Sequence, residues 1–160
     1  MYKKEVILYS DGACCVNPGR GGYGAILKYK TVEKVMSKGF ELTTNNRMEL
    51  LGVIEPLEAL KEPCRVKVFS DSQYVVHAFT KGWLQNWIKN DWKKTNRKPA
   101  LNIDLWKRFL PLLEKHDIHF NWVRGHNNNP DNERCDQIAV RACFNSKPLE
   151  DEGYIPPKKK

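Results

Sequence analysis

The stretch EVILYSDG, at residues 5–12, has the pattern of a buried strand that ends on an aspartate, and RVKVFSDS, at residues 65–72, repeats that ending. A short apolar run bounded by turn residues predicts a strand in each place. Side chains alternate across a strand, so Asp11 and Asp71 each continue the face of the aromatic residue two positions earlier. If the two strands are parallel neighbours, both carboxylates lie at one edge of the sheet, where α/β proteins place ligands.

The remaining pattern predicts three more strands and several helices. YGAILKY and EKVMSKGFEL follow a turn in PGRGG and continue the first strand as an antiparallel meander. Apolar residues at helical spacing begin at Met48, after the capping residues TTNN, and further helices are predicted at 73–80, in NIDLWKRFLPLLEKH and at 133–144. A last strand is expected at 118–123.

This order predicts an α/β fold with a mixed sheet flanked by helices. A helix between the third and fourth strands permits a parallel, right-handed crossover. Without repeats or a linker, residues 1–160 are predicted to form a single domain, and residues 147–160, which lack periodicity, a mobile tail.

Composition indicates a globular protein with a polyanionic partner. Apolar residues make up 41% of the 160 residues, and no apolar run approaches the ~20 residues of a membrane span. Because no signal-peptide pattern follows MYKKEV, we expect a cytoplasmic protein without a membrane partner. The net charge of +8 favours nucleic acid as the partner. Five cysteines, an odd number without a C-x-x-C pair, predict free thiols, with Cys15 in a packing role.

Four acids at element ends form a candidate metal site. Asp11, Glu49, Asp71 and Asp136 could meet at one sheet edge, where close carboxylates repel each other unless a cation or proton intervenes. Oxygen ligands of this kind suit Mg²⁺. Each acid also has a simpler interpretation: the aspartates as caps of the following helix, Glu49 in a capping box with Asn46, and Asp136 at a helix N-terminus.

His126 lies in the loop RGHNNNP after the last strand. A proton carrier beside a metal-bound water is one interpretation of this histidine, and a role in stabilising the turn is the other.

Six blocks of sequence together resemble type 1 ribonuclease H of the bacterial cytoplasmic kind: SDGACCVNPGRGGYGAIL, TTNNRMELLGVIEPLEAL, SDSQYV, GWLQNWIKNDWKK, WVRGH and NERCDQIA. The resemblance runs from about residue 5 to residue 154, in the family's order. It implies a five-stranded mixed sheet with helices on both sides.

The activity implied by the resemblance is endonucleolytic cleavage of the RNA strand of an RNA–DNA hybrid. Water would attack in line with metal assistance and leave 5′-phosphate and 3′-hydroxyl ends, with one or two Mg²⁺ ions per site, or Mn²⁺ in their place. The resemblance assigns metal binding to Asp11, Glu49, Asp71 and Asp136, and water activation or product release to His126. No obligate protein partner is evident, and a monomer is expected.

Substrate contacts are expected in two groups. Short polar groups and backbone amides would probe the 2′-hydroxyl of RNA in the minor groove: Gly12, Cys14, Asn17, Thr44, Asn45, Asn46 and Gln73. Capping and turn formation are the simpler roles of these residue types. A tryptophan- and lysine-rich segment would grip the DNA strand: Trp83, Trp87, Lys89, Trp92, Lys93 and Lys94. For the tryptophans, packing into a small satellite core is the alternative.

Two other functions compete with this hypothesis. An integrase-like nuclease that cuts DNA would carry extra DNA-binding domains and a different acid set. A non-catalytic hybrid-binding module would have no need for four mutually repelling carboxylates.

Overall fold

The computed structural model describes residues 4–94, 96–124, 129–145 and 147–156. Its described residues include five β-strands: β1 (Lys4–Cys14), β2 (Gly19–Tyr29), β3 (Val32–Thr43), β4 (Cys64–Ser70) and β5 (Asp117–Trp122). Across the sheet the order is β3-β2-β1-β4-β5. β1, β2 and β3 pair antiparallel, whereas β4 pairs parallel with both β1 and β5. The predicted mixed sheet, with β1 and β4 as parallel neighbours, is confirmed.

Helices follow the strands in the predicted order. The described helices are α1 (Asn45–Glu58), α2 (Gln73–Thr80), α3 (Trp83–Lys89), α4 (Ile103–Lys115) and α5 (Pro130–Cys143). α2 has its predicted bounds, while α5 begins three residues earlier than predicted. The reason is its cap: Asn129 Oδ1 accepts hydrogen bonds from the N–H groups of Asp131 and Asn132, at 3.2 and 3.1 Å. None of the helices in the described ranges has the length and apolar character needed to cross a membrane.

Glycines let α5 lie directly on the sheet. A Cβ on Gly22 would fall 2.6 Å from the Cβ of Ala142, and one on Gly24 would fall 2.5 Å from the backbone oxygen of Cys135. Tyr23, between these glycines, points to the opposite face and donates a hydrogen bond to Glu55 of α1. The sheet is therefore covered on both faces. Part of PGRGG, predicted as a turn, belongs to β2, and Gly22 of this motif lies against α5.

The segment after α5 returns to the edge of the sheet. Leu149 forms a parallel bridge to Phe40 in β3, donates a hydrogen bond to the oxygen of Gly39 and accepts one from the N–H of Glu41, both at 2.8 Å. The sequence analysis predicted a mobile tail over residues 147–160 and did not foresee these contacts. Residues 157–160 lie outside the described part of the chain.

A buried arginine anchors this segment. Arg47, 2% exposed, donates through Nε to Asp151 at 2.7 Å and forms two hydrogen bonds with Asp104 of α4, at 2.8 and 2.7 Å. Although burial opposes its charge, the hydrogen bonds that Arg47 donates to Asp104 and Asp151 raise the pKa of Arg47. A buried guanidinium needs such partners, since an unpaired charge in the interior is strongly destabilising. Hydrophobic periodicity carries no information about a single ion pair, so the sequence pattern could not predict this one.

Candidate active site

Asp11 lies where β1 separates from β4. Its strand continues to Cys14 because β2 pairs with it there, with Asp11 opposite Gly24. The pairing between β1 and β4 ends one residue earlier, at Ser10 and Ser70. The sequence predicted that Asp11 lies at the tip of the strand. In the structure it lies inside the strand. Its side chain is buried, and Oδ1 accepts a hydrogen bond of 2.9 Å from the N–H of Gly12.

Asp71 follows β4 directly, on the face predicted by alternation. Two residues before the aspartates, Tyr9 and Phe69 stack with ring centroids 5.2 Å apart. The capping alternative fails for Asp71, because Ser72 caps α2 and accepts a hydrogen bond of 3.2 Å from the N–H of Val75. Asp71 therefore does not cap α2, and its carboxylate lies at the sheet edge near that of Asp11.

Glu49 comes to the same edge from α1. Thr44 caps this helix by accepting a hydrogen bond of 3.3 Å from the N–H of Arg47, so Glu49 lies in the second turn and the capping box with Asn46 is wrong. α1 can approach β1 closely because residue 12 is glycine: a Cβ there would fall 2.5 Å from the backbone N of Glu49. Glu49 is 5% exposed.

One oxygen from each of Asp11, Glu49 and Asp71 lies within 4.8 Å of the others. Burial, followed by the charge of Asp71 and a hydrogen bond with Asp136, raises the pKa of Asp11 to about 8. Burial and the charges of Asp11 and Asp71 raise the pKa of Glu49 well above its usual value. Glu49 Oε2 is buried without a hydrogen-bond partner among the described residues. Three crowded carboxylates, one of which has a buried oxygen without a hydrogen-bond partner among the described residues, fit a hard divalent cation.

Asp136 reaches the group from the other face of the sheet. It lies in the second turn of α5, while Asp131 and Glu133 occupy the first turn, so Asp136 does not begin the helix as predicted. Its hydrogen bond and charge act on Asp11, but it is not part of the 4.8 Å group. The structure thus brings three of the predicted acids into one cluster and places the fourth beside Asp11. His126 lies outside the described residues.

The residues predicted to contact RNA are close to these acids in the sequence. Each lies within six residues of Asp11, Glu49 or Asp71: Gly12, Cys14, Asn17, Thr44, Asn45, Asn46 and Gln73. Several also have the simpler roles that were considered. Thr44 is a cap, Asn17 accepts a hydrogen bond of 3.3 Å from the N–H of Asn45, and the Cys14 thiol donates to the Val16 oxygen at 2.9 Å. The side chains of Asn46 and Gln73 are exposed.

The tryptophan-rich segment has both predicted features, tryptophans that pack on the core and lysines exposed to solvent. Its three tryptophans are partly buried against the core: Trp83, Trp87 and Trp92. The ring of Trp87 lies 5.5 Å from that of Trp106 in α4, so the satellite-core interpretation holds for this side chain. Its lysines are exposed: Lys89, Lys93 and Lys94. The result is a packed base that carries positive charge on its surface.

Trp122 is a site residue that the sequence analysis missed. Its indole N–H donates a hydrogen bond of 3.1 Å to the backbone oxygen of Asp71. The ladder between β4 and β5 ends at the pair Ser70 and Trp122, so the backbone of Asp71 lies just beyond the paired strands. A side chain at the end of β5 therefore helps to hold the segment that carries an acid of the cluster. Trp122 is the first residue of WVRGH, and nothing in that block signalled this role.

Replacing Trp122 with phenylalanine tests its positioning role. Trp122→Phe removes the donor but keeps an aromatic ring, and a hydrogen bond of this kind contributes about 0.5–1.5 kcal/mol. We expect kcat to fall about three- to tenfold and the metal requirement to rise, while KM stays the same. Steady-state kinetics over a metal titration measure all three quantities. Wild-type kcat and metal dependence would show that the hydrogen bond does not position Asp71.

Comparison with known proteins identifies the family. The family model for RNase H matches residues 3–144. The ribonuclease H of Syntrophus aciditrophicus is 54% identical over 152 residues, which cover 95% of this chain and 88% of that protein. The crystal structure of LC9-RNase H1, described as a type 1 RNase H with the type 2 active-site motif, has 29% identity and a TM-score of 0.81, over 90% of this chain and 74% of that one.

A structure of LC11-RNase H1 in complex with an RNA/DNA hybrid is also similar, with a TM-score of 0.64 over 87% of this chain and 96% of that one. At 21% identity this likeness shows the shared fold alone. The family model and the 54% identical relative together cover nearly all of this sequence. The chain therefore belongs to the RNase H family.

Proposed function

We propose that this enzyme hydrolyses the RNA strand of RNA–DNA hybrids by metal-assisted, in-line attack of water, leaving 5′-phosphate and 3′-hydroxyl ends. The reaction class follows from the family, because the curated relatives at 52–56% identity are ribonucleases H. Neither a DNA-cutting integrase nor a non-catalytic binding module is favoured by these relatives. The observation that carries the mechanism is the 4.8 Å group of carboxylate oxygens.

The family uses divalent metal, and the acidic cluster has the donor atoms to hold it. We assign the ligands as Asp11, Glu49 and Asp71, with Asp136 completing the set, and Mg²⁺ as the working ion in one or two copies, or Mn²⁺ in its place. Oxygen ligands from different elements suit Mg²⁺, which keeps several of its waters. When bound, the metal would supply an activated water and neutralise charge on the scissile phosphate and leaving oxygen.

The chain itself positions and desolvates these groups. Asp11 and Glu49 are buried, so their charges act in a medium of lower dielectric than water, where electrostatic interactions are stronger. Asp71 is oriented by the hydrogen bond that its backbone oxygen accepts from the indole N–H of Trp122. His126 is assigned as the proton carrier for the attacking water or the leaving group, on the basis of its place in WVRGH.

RNA would be recognised through its 2′-hydroxyl, the local difference between the two strands. The polar groups that flank the acids are proposed to make these contacts in the shallow minor groove: Gly12, Cys14, Asn17, Thr44, Asn45, Asn46 and Gln73. The exposed lysines of residues 81–94 would bind phosphates of the DNA strand, and their affinity would fall as salt rises. We further propose that the protein acts as a cytoplasmic monomer and folds as a single domain.

One assay tests the proposal. Labelled RNA–DNA hybrid, duplex DNA and duplex RNA are each incubated with the protein in Mg²⁺ and in EDTA, and the product ends are identified by enzymatic labelling. We expect cleavage of the hybrid's RNA strand only, in Mg²⁺ only, with 5′-phosphate ends. Cleavage of duplex DNA, or hybrid binding without cleavage in Mg²⁺, would overturn the assignment.

A further inference from the structure

Two neighbouring cysteines at the end of β1 face opposite sides of the sheet. The Cys14 thiol turns into the adjoining turn, where it lies 2.9 Å from the oxygen of Val16 and 3.7 Å from that of Thr43. The backbone N–H of Cys15 donates to the oxygen of Arg20 at 2.9 Å, so the hairpin pairing continues through this residue. Alternation in an extended strand therefore places Cys15 on the side opposite Cys14, the side shared with Ala13. Cys15 is exposed, contrary to the predicted packing role.

The C-terminal end of α5 lies on this same side. Cys143, the last residue of α5, is 1% exposed, and its thiol lies 3.5 Å from the backbone oxygen of Ala13. Gly22 pairs with Ala13 in the sheet, and a Cβ on it would touch Ala142. The end of α5 is thus packed directly over the strand that leads into Cys15.

The two thiols interact across this contact. Burial, followed by a hydrogen bond with the Cys15 thiol, raises the pKa of Cys143 to about 12. The thiols do not make a metal centre, because the group of metal-type ligands found among the described residues consists of carboxylates alone. An exposed thiol next to a buried one is instead the arrangement of an attacking and a resolving cysteine.

We propose that Cys15 and Cys143 form a reversible disulfide on exposure to a low-molecular-weight disulfide such as oxidised glutathione. The Cys15 thiolate attacks one sulfur of the oxidant and releases the first small thiol, which leaves a mixed disulfide on Cys15. Cys143 then loses its proton to solvent and attacks the Cys15 sulfur, which releases the second small thiol. Two protein thiols are oxidised and one small disulfide is reduced to two thiols.

The bond would join two elements of the candidate active site. β1 carries Asp11 and α5 carries Asp136, so the disulfide would fasten one to the other at a point beyond both acids. It would also close a chain segment of well over 100 residues, which restricts the unfolded chain and favours the folded state. This proposal stands on the thiol geometry and does not depend on the assignment of activity.

Thiol mapping of the full-length protein tests the proposal. The protein is incubated with oxidised glutathione, alkylated and digested with trypsin, which cuts after Arg134 and Arg141 and so separates Cys143 from Cys135. We expect loss of two of the five thiols, a linked peptide pair that contains Cys15 and Cys143, and full reversal by dithiothreitol. The oxidised protein should melt about 5–10 °C higher than the reduced protein.

Cysteine variants identify which two thiols form the disulfide. Cys14→Ser, which removes the neighbouring thiol from the same peptide, should still form the link and show the rise in Tm. Cys135→Ser, a buried thiol of the same helix, should behave like the wild type. Cys15→Ser and Cys143→Ala should form no linked peptide pair and show no rise in Tm after oxidation. Five free thiols after oxidation, a glutathione adduct on Cys15 that proceeds no further, or a link through Cys14 would each overturn the proposal.

Discussion

Asp11→Asn is expected to reduce kcat for the RNA strand of a hybrid by about 10³-fold or more, while hybrid binding is retained. The substitution removes one of three carboxylate oxygens that lie within 4.8 Å of each other, and loss of a group that acts only in the transition state lowers kcat. Removing a negative charge does not weaken attraction to phosphates, so the Kd for hybrid should stay within about threefold of the wild type. Single-turnover cleavage and filter binding measure the two quantities.

Asp117→Asn is the matched control. Asp117 begins β5, at the opposite end of the parallel strands from the candidate site, and its carboxylate lies 3.3 Å from Arg65 and 3.2 Å from His119. We expect its kcat to remain within about twofold of the wild type. Substantial turnover by Asp11→Asn, or an equal loss in Asp117→Asn, would remove Asp11 from the mechanism.

Metal-free protein is expected to lose stability as the pH rises from about 4 to 8. Burial and the nearby acids raise the pKa of Asp11 to about 8, above its value in the unfolded chain. Between these two pKa values the folded state binds the proton more tightly than the unfolded state does. The free energy of unfolding therefore falls with rising pH, and the loss is complete only above the folded pKa.

The same argument predicts that Asp11→Asn stabilises the metal-free protein. At pH 7 in EDTA we expect a free energy of unfolding about 2–4 kcal/mol above that of the wild type, and a weaker dependence on pH. The gain should shrink as the pH falls below about 4 and vanish at about pH 2, where the wild-type carboxyl is protonated in both states. Urea denaturation at several pH values measures this, with Asp117→Asn as the control. Parallel pH profiles for Asp11→Asn and the wild type would contradict the explanation.

The local sequence pattern was sufficient to predict the strands, most of the helices and the edge of the sheet where the acids lie. The apolar runs ending in Ser-Asp predicted β1 and β4, and strand alternation predicted the face that Tyr9 and Phe69 share. α2 was predicted at its observed bounds, and the structure shows that Ser72 caps it directly before an apolar run. These features depend on neighbours in the sequence, which the pattern records.

Features that depend on distant residues were mispredicted or missed. β1 runs on to Cys14 because β2 supplies hydrogen bonds there. Gly22, predicted as part of a turn, lies in β2 directly beneath α5. Such effects arise from close approach in space, for which a single sequence has no periodic signal.

The sequence by itself determined the order of strands and helices and the kinds of residue at the sheet edge, because hydrophobic periodicity and capping are local properties of the chain. Only the tertiary structure decided that Glu49 lies beside Asp11, that Trp122 holds Asp71, that Arg47 anchors Asp151 and that Cys15 faces Cys143. Each of these contacts joins residues separated by tens of positions or more, and it forms only when the sheet and its two layers of helices pack together.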